Sequence, residues 1–70
     1  MNFDDYCIEV WYSQIDEAFL AQIREIQGCV ADGKTREDAI KELRIVFDLI
    51  TDVMQEKGTP IPAPRKREIA

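Results

Sequence analysis

Hydrophobic residues change their period once along this chain, between Gly28 and Ala39. Upstream they alternate with period two, as in a half-buried strand; downstream they recur every three or four residues, as on one helix face. Tyr6 to Ser13 and Glu17 to Ile23 are rich in aromatic and β-branched residues and predict two strands. Ser13-Gln14-Ile15-Asp16 joins them as a short hairpin loop, so that Ser13 opposes Asp16 and Tyr12 opposes Glu17. Tyr6, Ile8, Val10 and Tyr12 then share a face with Phe19, Ala21 and Ile23, which is the expected core. Cys7, Glu9 and Trp11 share the other face with Ala18, Leu20 and Gln22, giving it an apolar centre at Trp11. A third, short strand is expected over Cys29 to Ala31, punctuated by Gly28 and Gly33.

A long helix follows, from Arg36 to Lys57. Thr35 is its expected N-cap, with Asp38 completing a weak capping box, and Gly58 falls at C′. Ala39, Ile40, Leu43, Val46, Phe47, Ile50, Val53 and Met54 form one apolar arc. The helix is about 33 Å long at 1.5 Å per residue and should overhang its sheet. Thr59-Pro60-Ile61-Pro62-Ala63-Pro64 cannot continue the helix and predicts an extended, polyproline-like exit. The fold class is therefore α+β: a three-stranded antiparallel sheet packed on one long helix. One domain is expected over residues 1–64, and a basic flexible tail over 65–70.

Composition narrows the class. A seventy-residue chain buries only about 60–65% of its unfolded surface and gains from a disulfide, a metal or a partner. Two cysteines and no histidine make a structural zinc site a poor fit. No secretory signal or apolar run of about 18 residues is present, so a soluble, cytoplasmic chain with free thiols is expected. Oligomerisation or a protein partner is left as the source of extra burial.

Nine Lys and Arg face fourteen Asp and Glu, for a net charge of −5. Arg65, Lys66 and Arg67 oppose only Glu68, so residues 65–70 carry +2 and residues 1–64 carry −7. Such a body repels phosphate backbones, which argues against direct DNA binding, and suits a basic protein.

The usual parts of an active site are missing. No histidine can act as a base near neutral pH. Gly33-Lys34-Thr35 imitates the end of a phosphate loop, but Gly28-Cys29 and the preceding chain do not complete one. Asp4-Asp5 and Asp16-Glu17 read as exposed loop acids, and Cys29 as a small buried hydrophobe. No catalytic residue, metal or cofactor is expected, and the chain is not read as an enzyme.

The helix carries more than its core requires. Asp48, Asp52 and Glu56 repeat every four residues, placing like charges side by side in the half where the macrodipole favours cations. Ile45 and Leu49 lie beside them, off the apolar arc. Hydrophobes rimmed by acids suggest an interface. These five residues, with Trp11 and Asp16, are the expected partner-binding positions. Trp11 has two open fates: a free patch with Leu20, or a cover from Ile61 to Pro64 folding back.

The chain resembles the HicB-like antitoxins of type II toxin–antitoxin systems. The resemblance runs through Ile8-Glu9-Val10-Trp11-Tyr12-Ser13 and Asp16-Glu17-Ala18-Phe19-Leu20-Ala21. It continues through Glu25-Ile26-Gln27-Gly28-Cys29, Ala31-Asp32-Gly33-Lys34-Thr35 and Glu37-Asp38-Ala39, and ends on Gly58, Ile61, Pro62 and Pro64. It implies a partial ribonuclease-H-like β-β-β-α fold without nuclease activity. It also implies a partner, a small basic HicA-like mRNA interferase, whose catalytic and RNA-binding surface the antitoxin covers. Arg24 and Gln27 stand where the family usually has prolines. The twelve residues after Gly58 are too few for the DNA-binding domain of longer relatives, so this resembles the short form. A homo-oligomer, dimer or higher, is expected as well. The alternative is a self-associating regulatory or scaffold domain without a toxin partner.

Overall fold

The computed structural model describes residues 2–64; the tail expected over 65–70 lies outside the described residues. A short 3-10 turn at Phe3–Asp5 precedes β1 (Glu9–Ser13), β2 (Ala18–Gln22), β3 (Val30–Gly33) and α1 (Arg36–Lys57). The strands form one antiparallel sheet in the order β1-β2-β3, with α1 packed on one face. This is the expected α+β architecture.

The hairpin register differs from the expected one by two residues. Ser13 pairs with Ala18, Trp11 with Leu20 and Glu9 with Gln22. Local polar chemistry in the turn explains the difference. Ser13 Oγ donates to Asp16 Oδ2 at 2.9 Å and accepts from the Asp16 backbone N–H at 3.2 Å, drawing Asp16 into the loop. Glu17 then closes it at φ 53°, in the left-handed region, so the loop holds Gln14 to Glu17 rather than two residues. A shift of two keeps every side chain on its expected face, because the side-chain period is also two. β1 starts at Glu9 rather than Tyr6 but ends at Ser13 as expected, β2 loses one residue at each end, and the third strand lies at Val30–Gly33 rather than Cys29–Ala31. Beyond β2, the Ile23 N–H donates to the Cys29 carbonyl at 3.0 Å, extending the β2–β3 register by one pair.

The helix has the expected bounds and end caps, but only the Thr35 half of the expected capping box forms: the Asp38 side chain, one methylene shorter than Glu, makes no bond back to the Thr35 N–H. Thr35 Oγ1 accepts from the Asp38 N–H at 3.1 Å, satisfying one of the four orphan donors of the first turn. At the other end Gly58 sits at φ 70°, its N–H on the Gln55 carbonyl and the Thr59 N–H on Met54. Those two bonds make a Schellman motif, which a residue with a Cβ would strain.

Buried side chains run from the sheet into the first three turns of α1: Ala21, Ile23, Ile26, Cys29, Ala39, Leu43 and Phe47. Phe3 and Tyr6 complete the core, each meeting the Phe47 ring edge-on at 5.5 Å. Past Phe47 no helix residue is fully buried, as expected where α1 overruns five-residue strands. Two residues expected in the core are open: Tyr12 is 52% exposed and Val53 47%. Tyr12 lies at the turn end of edge strand β1, over which α1 packs least. Val53 lies on the overhang.

Candidate functional site

The seven expected partner-binding residues fall on two separate surfaces. Ile45, Asp48, Leu49, Asp52 and Glu56 lie together on the exposed side of α1. Trp11 and Asp16 lie on or beside the sheet face that α1 leaves open.

On α1, successive steps of about 100° put the three acids beside Ile45 and Leu49. Asp48, Asp52 and Glu56 are all exposed, and among the described residues no cation pairs with them. Val53 joins the apolar side: Ile45, Leu49 and Val53 form a ridge at four-residue spacing. A groove of about 430 Å³ opens beside it, lined by Leu49, Ile50, Val53, Met54, Lys57 and Thr59. The sequence carried a signal for Val53, which continues the Ile45–Leu49 spacing; its place at the margin of the core arc hid it. The surface therefore offers aliphatic side chains along one edge and unpaired carboxylates along the other. That chemistry can hold a cationic, partly apolar protein segment.

On the open sheet face, Trp11 pairs with Leu20, Leu20 with Asp32, and Gln22 with Val30. Trp11 is 38% exposed and Val30 47%. One side is bordered by Glu9, whose Oε1 accepts from Gln22 Nε2 and Arg24 Nε, each at 2.9 Å. The other side is bordered by Ser13, Asp16 and Asp32. Val30 and Arg24 were missed by sequence reasoning, because the role of each depends on the β2–β3 register and the turn after β2. Trp11 is not covered by the returning chain. Tyr6 Oη donates to the Pro62 carbonyl at 2.6 Å, which holds the exit segment against the core side instead.

Two groups have displaced pKa values. Burial raises that of the Cys29 thiol, so it stays protonated near neutral pH. Tyr6 is raised by burial first, then by the charges of Glu25 and Asp5. Among the described residues no group of three or more His, Cys, Asp or Glu is placed to hold a metal ion. No helix there is long and apolar enough to cross a membrane.

A small α+β domain with two distinct exposed apolar surfaces is thus what the geometry defines. The chain is 35% identical over 54 residues to a UPF0150 protein of Synechocystis sp., a match spanning 77% of this chain and 74% of the relative. It belongs to the UPF0150 family. No family model and no solved structure matches the chain.

Proposed function

We propose that this chain is a HicB-like antitoxin that binds a small, basic HicA-like mRNA interferase and masks its catalytic and RNA-binding surface. The observation that carries the reading is the α1 surface. Three unpaired carboxylates flank three exposed aliphatic residues at the same four-residue spacing. Like charges so placed cost a few tenths of a kcal/mol each in the free domain and suit a cationic partner. The net charge of −7 over residues 1–64 favours the same class of partner, as does the motif order shared with the HicB-like family. In this reading the chain is no enzyme; it inhibits by occupying a surface.

The test looks for a small, basic open reading frame beside the gene of this chain and pairs the two products; a gene neighbourhood without one would count against the reading. The two should co-purify, and the complex should weaken as salt rises. Asp48→Lys with Asp52→Lys should slow association at low salt by about tenfold or more and flatten its salt dependence. Unchanged affinity and salt dependence in that variant would remove the acidic stripe from the interface.

A further inference from the structure

The helix surface leaves the open sheet face and its β1 margin unused. We infer that β1 is the self-association edge of this protein: two copies pair their β1 strands antiparallel about a two-fold axis at Trp11, joining two three-stranded sheets into one of six. β1 is an outer strand, and among the described residues nothing pairs with its free side. Its five residues, Glu-Val-Trp-Tyr-Ser, include no proline, no lysine and no bulge, and the one charge that could blunt this edge, Glu9, lies at its end.

The strand is complementary to itself. With the axis at Trp11, Glu9 opposes Ser13 of the second copy, Val10 opposes Tyr12, and Trp11 meets its own equivalent. All five residues then find partners, and no like charges stand opposite one another. Any other centre leaves part of the strand unpaired. Charge fits at the ends as well. The Arg24 guanidinium lies on Glu9 at 2.9 Å, and Asp16 is held beside Ser13 by the Ser13 hydroxyl at 2.9 Å. Pairing Glu9 with Ser13 therefore brings Arg24 of one copy towards Asp16 of the other, twice, as a two-fold axis requires.

Both faces of the seam gain cover. Outside, the Leu20–Trp11 row of each copy becomes one continuous apolar row of four side chains. Inside, half-exposed Tyr12 meets Val10 across the seam. The helices do not obstruct the joint, because α1 lies over β2 and β3 and touches β1 least. The acidic α1 stripe stays free, so self-pairing and capture of a basic partner use different surfaces.

Sedimentation equilibrium of the full chain tests this, together with disulfide trapping. The expected result is a reversible dimer whose dissociation constant rises at least about tenfold in Trp11→Lys, which sets two cations against each other at the axis. Far-UV circular dichroism should show that variant folded, since Trp11 lies off the core. In a Cys7→Ser background, Trp11→Cys should oxidise to a covalent dimer, whereas Ile45→Cys should not. A chain that is monomeric at every concentration overturns the inference, whether the edge stays bare or another segment covers it. So does a dimer that Trp11→Lys leaves unchanged and Trp11→Cys does not trap.

Discussion

Gly33 shows how one hydrogen atom positions the helix on the sheet. A Cβ built there would lie 2.4 Å from the Ala39 backbone N and 2.7 Å from the Asp38 carbonyl carbon, with no flexible side-chain end to yield. The first turn of α1 thus rests directly on the end of β3, and the close approach is possible only for glycine. Gly33→Ala should cost about 1–3 kcal/mol, as other overpacked sites do, lowering the thermal midpoint by several degrees or more. A midpoint equal to that of the parent chain would show that the helix can lift without penalty. Tyr6 makes a different kind of constraint, fastening the chain after α1 to the segment before β1 through its 2.6 Å bond to Pro62. Tyr6→Phe should cost about 1 kcal/mol. The raised Tyr6 pKa adds a pH signature. Its native value lies above the ordinary 10.0, so its contribution is fully present below pH 10 and is lost as pH rises through the native pKa. Denaturant titrations between neutral and strongly alkaline pH should show a stability loss in the parent that is smaller in Tyr6→Phe.

Along α1, stability and binding make opposite demands. Asp48 and Asp52 repel each other one turn apart and sit towards the negative end of the macrodipole. Replacing both with lysine should therefore leave the free domain equally stable or a few tenths of a kcal/mol more stable, while weakening capture of a basic partner. Chemical denaturation of the variant separates these effects: a clear destabilisation would mean the acids support the fold instead. The same element shows how much was legible beforehand. Thr35 and Gly58 mark its ends through chemistry local to each cap, so its bounds could be read directly. Hairpin register was less legible, because it depends on Ser13 and Asp16 bonding to each other and on Glu17 accepting a positive φ. Face assignment survived the difference only because the shift was even. Burial was least legible where it depends on other elements. Phe3 looks like a lone apolar residue in a polar leader until Phe47 arrives beneath it, and Tyr12 looks like core until α1 fails to reach it. Of the candidate site, the helical half could be read from spacing alone. Its split from Trp11 and Asp16 required knowing which sheet face the helix covers.

At the scale of the whole molecule, the single core makes the two thiols independent reporters. Cys7 is exposed, whereas Cys29 is 2% exposed at the junction of β2, β3 and the Ile23–Cys29 turn. Three backbone bonds brace that turn, at 3.0 to 3.3 Å: Ile23 N–H to Cys29, Ile26 N–H to Ile23, and Cys29 N–H to Ile26. Ile23 and Ile26 are each 1% exposed and pack in the same core as Leu43 and Phe47. Reaching the Cys29 sulfur therefore means separating the sheet from the helix, which is global unfolding in a domain with one core. Fraying of the Phe3–Tyr6 segment alone would not expose it. A thiol reagent under native conditions should modify one cysteine at once and the second at a rate limited by rare opening. Adding denaturant below the transition should accelerate only the second phase, with the full slope found for equilibrium unfolding. A markedly shallower slope would mean that the Ile23–Cys29 turn opens locally, and that the sheet and helix are less tightly coupled than their shared core implies.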